Sequence, residues 1–128
     1  MTPKFRAWDK ISKKMFPVMM IDFVQSYVMI EEINGLLCER DFDDVELMQY
    51  TGLKDENGRE IYEGDVVRYE CCFESYVEEV IYDDKHCNFG TIDKDEKTFS
   101  FDVLISDFDV DCFEVVGNKY ENLELLGE

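Results

Sequence analysis

The sequence predicts a mainly β protein, either a small barrel or a sandwich. Three observations carry this. Short apolar or alternating runs recur along the chain, separated by Gly, Asn and Asp turn signals. No stretch keeps apolar residues at helical spacing over three turns. Residues 47–69, LMQYTGLKDENGREIYEGDVVRY, join an apolar lead-in, a turn dense in Gly, Asp and Asn, and a second extended run opened by Gly64-Asp65.

Taken in order, residues 4–9 alternate, with Phe5, Ala7 and Asp9 on one side and Arg6 and Trp8 on the other, which predicts a short strand. A polar, basic loop over 9–14 leads to an apolar strand over 15–23, and the three make a β-hairpin. Residues 24–33 fit a strand or a helix; their β-branched residues favour a strand. Asn34-Gly35 is a two-residue hairpin turn, because both positions tolerate positive φ, and 36–39 return from it. The charged link 40–44 (RDFDD) divides the chain into an N-terminal β-rich extension, 1–44, and a main domain, 45–128.

In the main domain, 45–50 is a strand ended by Thr51-Gly52, and 54–59 is a turn whose left-handed positions fall at Asn57-Gly58. Ile61 and Tyr62 return to the core, and 63–65 turn again. Strands follow over 66–72, 76–82, 89–92, 98–105 and 112–116, with a loop over 83–88. Gly117-Asn118 turns, and 120–126 close the chain as one helical turn or a short strand.

The 128 residues suit one domain, or one small domain with an extension. With 45% hydrophobic and 14% aromatic residues, the chain can fill a core despite its charge. That charge is −18, from 31 acidic and 13 basic residues. It argues against direct nucleic-acid binding, which needs Lys and Arg to release phosphate counterions. It argues equally against an anionic membrane surface. It suits high solubility, a basic partner, or mimicry of nucleic-acid charge.

Five cysteines, Cys38, Cys71, Cys72, Cys87 and Cys112, are an odd number with an adjacent pair. Because the opening MTPKFRAWDK has no apolar signal core, they read as reduced thiols of a cytosolic protein. The longest apolar run, 15–21, contains Pro17 and is too short to span a bilayer. His86 with Cys71, Cys72 and Cys87 lacks the two-residue ligand spacing of zinc ribbons, and adjacent strand cysteines face opposite ways. His86-Cys87 is a poor nucleophile pair, since neighbours in sequence rarely meet in productive geometry. Asp107, Asp109 and Asp111 alternate with Phe108, Val110 and Cys112; on a strand this puts three carboxylates on one face, which reads as an outward acidic face over a packed inner one rather than a divalent cation site. No Gly turn or distal bidentate Glu completes a calcium loop there. No catalytic, cofactor or metal residue is therefore assigned.

Residues 45–69 resemble the YopX family of bacteriophage and prophage proteins. The resemblance rests on LMQYTGLKD, then Asn57-Gly58, then EIYEGDVV. KFRAWD near the start and GNKYEN with Leu125-Leu126 at the end extend it over nearly the whole chain. Lys119 and Leu123 depart from the apolar and Pro residues often found in the closing motif. The resemblance implies a small SH3-like barrel in the C-terminal two-thirds, with an N-terminal β-hairpin extension. It also implies phage or prophage origin and a bacterial cytosol, and it brings no catalytic residues. The residues that carry it are Trp8, Gln49, Tyr50, Gly52, Asp55, Gly58, Tyr62, Gly64, Asp65, Asn118, Tyr120 and Asn122, all of types suited to turns and core. Gly64 suits a bend without a Cβ penalty, Asp65 can accept from nearby amides, and Tyr50 and Tyr62 suit packed rings with paired hydroxyls.

The expected function is a non-enzymatic interaction or assembly module for a protein partner: itself, phage or host. Homo-oligomerisation would bring the basic loop at 10–14 against an acidic face. The alternative is an acidic nucleic-acid mimic that inhibits a host DNA-binding protein.

Overall fold

A computed structural model describes residues 2–33 and 35–127. The chain forms two compact units that divide between Tyr50 and Thr51.

The first unit contains β1 (Phe5–Asp9), β2 (Lys14–Asp22), β3 (Tyr27–Glu31), β4 (Leu37–Asp41) and the first part of β5 (Val45–Lys54). They form an antiparallel sheet in the order β4-β3-β2-β1-β5. The alternation in KFRAWD does what its period predicts. Ala7 and Asp9 are buried while Arg6 and Trp8 are half-buried, and Ala7 pairs with Phe16 on β2 and Leu47 on β5. Ala7, Val28, Ile30 and Val45 are the buried core, with Phe16, Val18 and Leu47 packed against it. Burying each large side chain contributes about 1.5–3 kcal/mol.

This unit is more than a hairpin extension. The 24–33 segment contains strand β3, and the supposed link 40–44 contains the end of β4 and a 3-10 turn at Phe42–Asp44. β5 pairs with β1 from Val45 through Gln49, and the two compact units divide after Tyr50. Asn34 lies outside the described residues, but Gly35 has φ +78° and Leu36 N–H donates to Ile33 O, as a tight turn requires.

The second unit contains the end of β5, β6 (Glu60–Tyr62), β7 (Asp65–Cys71), β8 (Glu74–Asp83), β9 (Asn88–Ile92), β10 (Thr98–Ser100), α1 (Phe101–Ser106), β11 (Glu114–Asn118) and a closing 3-10 turn at Leu123–Leu126. β6 lies beside β5, and Thr51 Oγ1 donates to Ile61 O at 2.8 Å. The other strands form an antiparallel sheet in the order β10-β9-β8-β7-β11. β10 and β11 end that order without pairing to each other, so among the described residues this sheet is open. The core holds Ile61, Val67, Tyr69, Val80, Phe101, Leu104, Val110, Phe113 and Val115. Phe113 touches both Tyr69 and Phe101 edge-on, at 5.3 and 4.9 Å between ring centroids.

Three further expectations change. Residues 98–105 were expected as one strand, but β10 stops at Ser100 and α1 begins. Ser100 is the N-cap: its Oγ accepts from Val103 N–H at 3.1 Å, and Asp102 favours the first turn. Phe101 and Leu104, three apart, then share the buried face. The alternating acidic strand over 107–112 does not form either. Asp107 caps α1, Asp109 has φ +56°, and Val110 is pulled into the core with its N–H bonded to Leu104 O. The last strand is β11, later than the predicted 112–116.

Close approach explains one glycine. At Gly90 a Cβ would collide with the backbone of Phe99 on β10, so only Gly permits this pairing.

Candidate functional site

The hairpin joining β7 and β8 carries the most unusual backbone in the second unit. Cys71 pairs with Glu74, leaving Cys72 and Phe73 as a two-residue turn. Their φ values are +55° and +68°. Positive φ at both central positions is the type I′ hairpin turn, which fits the right-handed twist of the strands and normally selects Asn-Gly. Here neither residue is Gly, Asn or Asp. Phe73 is also fully exposed, so its ring adds no packing to offset the strain.

Below this tip, β7 and β8 place side chains in cross-strand pairs. Tyr69 lies opposite Tyr76, and their rings stack at 5.5 Å and 22°. Phe99 from β10 and Phe108 after α1 meet edge-on at 5.9 Å. These four rings line a cavity of about 290 Å³, with Glu78, Leu104 and Lys97 also on its walls.

Glu78 follows the inward phase of Tyr76 and Val80 and is only 6% exposed. Its Oε1 accepts from Tyr69 Oη at 2.6 Å and from Thr91 Oγ1 at 2.8 Å. Among the described residues no hydrogen bond reaches Oε2. Burial, and then the hydrogen bond to Glu78, push the Tyr69 phenol above its ordinary range, so it remains a donor at neutral pH. Above the cavity Cys71 and Cys72 have their sulfurs 3.5 Å apart, and that contact, followed by burial, raises the Cys71 thiol. It is held as the protonated thiol, not a reactive thiolate.

A second cleft, about 330 Å³, also uses Tyr69 and is acidic, with Glu56, Glu70, Asp111 and Glu114 around Arg68. Arg68 is engaged by Glu114. Cys112 Sγ donates to Glu56 Oε2 at 3.2 Å, which raises that thiol.

The cysteines and histidine do not converge. Cys71-Cys72 and His86-Cys87 flank opposite ends of β8, a ten-residue strand about 30 Å long. His86 Nδ1 lies 2.7 Å from Asp83 Oδ2, and this contact lowers the Asp83 carboxyl, while Cys87 Sγ points to Asp84 O. Among the described residues no group of three or more His, Cys, Asp or Glu is placed to hold a metal ion. No described helix is long and apolar enough to cross a membrane.

The residues that carry the family resemblance lie elsewhere, chiefly at turns. In the first unit, Trp8 and Gln49 are half-buried on β1 and β5, and buried Tyr50 receives Lys4 Nζ 5.6 Å from its ring centre. In the second, Gly52, Gly58 and Gly64 all have positive φ. Asp55 Oδ1 accepts from Asn57 and Arg59 N–H, and Oδ2 accepts from Val115 N–H at 3.0 Å, tying the turn to β11. Burial would raise its carboxyl, but the amides of Val115, Arg59 and Asn57 together hold it low. Asp65 Oδ2 accepts from Tyr62 N–H, and Tyr62 Oη donates to Glu60. Asn118 Oδ1 accepts from Tyr120 and Glu121 N–H, while Asn122 Oδ1 accepts from Asn118 N–H.

Sequence reasoning therefore missed Phe73, Tyr69, Tyr76, Glu78, Phe99 and Phe108 as a group. One signal was legible: in YVEEV, Glu78 shares the phase of Tyr76 and Val80, an acid on the apolar side of a strand.

Among solved structures, the crystal structure of protein EF1440 from Enterococcus faecalis matches with a TM-score of 0.62 and 30% sequence identity, over 98% of this chain and 99% of that one. No curated protein matches the chain. The family model described as YopX protein matches residues 4–127, and with the fold shared along nearly the full length of EF1440, the chain belongs to the YopX family.

Proposed function

We propose that this YopX protein is a phage- or prophage-encoded interaction module of the bacterial cytosol, binding a protein partner rather than catalysing a reaction. The observation that carries this reading is Phe73. A fully exposed aromatic ring stands on a turn where both residues are held in left-handed conformations, and neither pays back that strain by packing. Strain kept without a folding benefit points to a use of the side chain. Aromatic anchors of this kind fill pockets on partners. The open five-stranded sheet acts as a small SH3-like platform that presents the tip, and the −18 charge favours a partner with basic surface.

The mimicry reading is less well supported. Asp9, Asp22, Asp55, Asp83 and Asp93 each accept backbone N–H groups of their own loops. These carboxylates are committed to turn geometry rather than to a phosphate-like array.

The test is paired affinity capture from host lysate with the wild type and Phe73→Ser. A partner retained by the first and lost by the second supports docking through the tip; identical captures refute it. Light scattering across salt addresses self-association: a monomer at micromolar concentration in every salt removes the second copy as the partner.

A further inference from the structure

The cavity beneath the tip has a chemistry of its own. Its walls are the stacked Tyr69 and Tyr76 and the edge-on Phe99 and Phe108. Glu78 also lines it, nine-tenths buried, with Oε1 clamped by two hydroxyl donors and Oε2 without a hydrogen-bond partner among the described residues. Oε2 is not among the fully buried polar atoms left without a partner, so it keeps contact with solvent, and a group that displaces that water must replace its hydrogen bond.

The lining discriminates between an anion, a neutral apolar group and a cation. An anion would meet Glu78, Asp93 at the same wall and a −18 chain. A neutral apolar group would fill the ring-lined space but strip water from Oε2 without replacing its hydrogen bond. A basic side chain suits both features at once, since its alkyl stem packs along the aromatic wall and its charged head pairs with Oε2. At about 290 Å³ the cavity lies at the lower end of ligand-site volumes and has room for a long basic side chain. The one lysine on its wall, Lys97, is exposed, and its backbone N–H is fixed by Asp93 Oδ1.

We propose that this aromatic-walled cavity over Glu78 binds a basic side chain, the lysine or arginine of a partner protein, with its cationic head on Glu78 Oε2 and its alkyl stem along the rings. The proposal deepens the interaction reading and rests on it: Phe73 enters the partner, and the partner's basic residue enters here.

The test titrates the full ¹⁵N-labelled chain with N-acetyl-lysine amide and N-acetyl-arginine amide, with N-acetyl-glutamine amide as the neutral control. The cationic amides are expected to give saturable shifts centred on Tyr69, Tyr76, Glu78 and Phe99, which the glutamine amide does not. Glu78→Gln keeps the volume and an oxygen for Tyr69 and Thr91, and weakens cation binding by roughly tenfold or more. Lys97→Glu, at an exposed position with no bearing on folding of the core, removes a like charge from the rim and tightens binding several-fold. Equal shifts with the glutamine amide, or undiminished cation binding by folded Glu78→Gln, overturn the proposal. So does a Lys97→Glu chain that binds no tighter. Absent cation binding alongside Phe73-dependent capture removes the cavity reading alone. Saturable cation binding alongside capture indifferent to Phe73 removes the tip reading alone.

Discussion

Replacing the tip with the residues its geometry favours, Cys72→Asn with Phe73→Gly, separates folding from function. Left-handed backbone costs about 1–2 kcal/mol for each ordinary residue, so the two positions store about 2–4 kcal/mol. Both side chains are exposed, so little packing is lost with them. The contact between the Cys71 and Cys72 sulfurs also disappears, but thiols are weak donors and acceptors. The new Gly returns about 0.5–1 kcal/mol through its greater freedom in the unfolded chain. A net gain of about 1–3 kcal/mol remains, and with a urea slope of about 1–3 kcal/mol per molar the midpoint rises by about 1 M. The assay is urea unfolding of the full chain followed by circular dichroism, with amide exchange across β7 and β8 reporting the hairpin. An unchanged or lowered midpoint would show that the turn holds no strain, and the argument for a functional Phe73 would lose its basis. A stabilised protein that still captures its partner would likewise refute the docking reading.

Other substitutions probe the frame around the site. In the first unit Asp9 is fully buried and Arg40 Nε lies 3.1 Å from its Oδ1, so Arg40→Ala strands a buried charge and destabilises by about 3–5 kcal/mol in urea unfolding. Gly90→Ala drives a methyl into the Phe99 backbone; it costs about 3 kcal/mol or more and exposes the β9–β10 amides to exchange. Asp55→Ala leaves the amides of Asn57, Arg59 and Val115 without their acceptor, a loss of about 2–4 kcal/mol. Asp55 and Asp9 both have depressed carboxyls in the folded chain, so each stabilises above its unfolded pKa of about 3.9. That contribution is lost as pH falls through the folded value. Midpoints should therefore drop on acidification below about pH 4, and less steeply in Asp55→Asn than in the wild type.

How much was legible from sequence depended on the range of the interaction. The strands of the first unit follow from period-two patterning: KFRAWD reads as β1, and burial alternates from Arg6 to Asp9. Turn signals worked where the chemistry was local, as at Gly58 and Gly64, both with positive φ, and at Asp55 and Asn118, which accept from amides two to four residues on. Helix α1 was missed because a six-residue helix cannot show three turns of periodicity, although Ser100 followed by Phe101 and Leu104 is a cap with a buried face. The acidic alternation over 107–112 misled for the opposite reason: a long-range pull on Val110 into the core overrode a local strand pattern.

The candidate site lies still further from sequence reach. By itself the sequence determined that the protein is mainly β, strongly acidic and of the YopX family, because pattern, charge and motif are properties of neighbouring residues. Only the tertiary structure decided that the sheets stay open, that 40–44 belongs to strand and turn rather than a linker, and that Cys72-Phe73 is a strained turn. It alone brought Tyr69, Tyr76, Phe99 and Phe108 around one carboxylate, since these residues come from β7, β8, β10 and the segment after α1. Their meeting depends on strand register and on the cap that ends β10, and cross-strand pairing is set by packing along the whole sheet rather than by any stretch of sequence read alone.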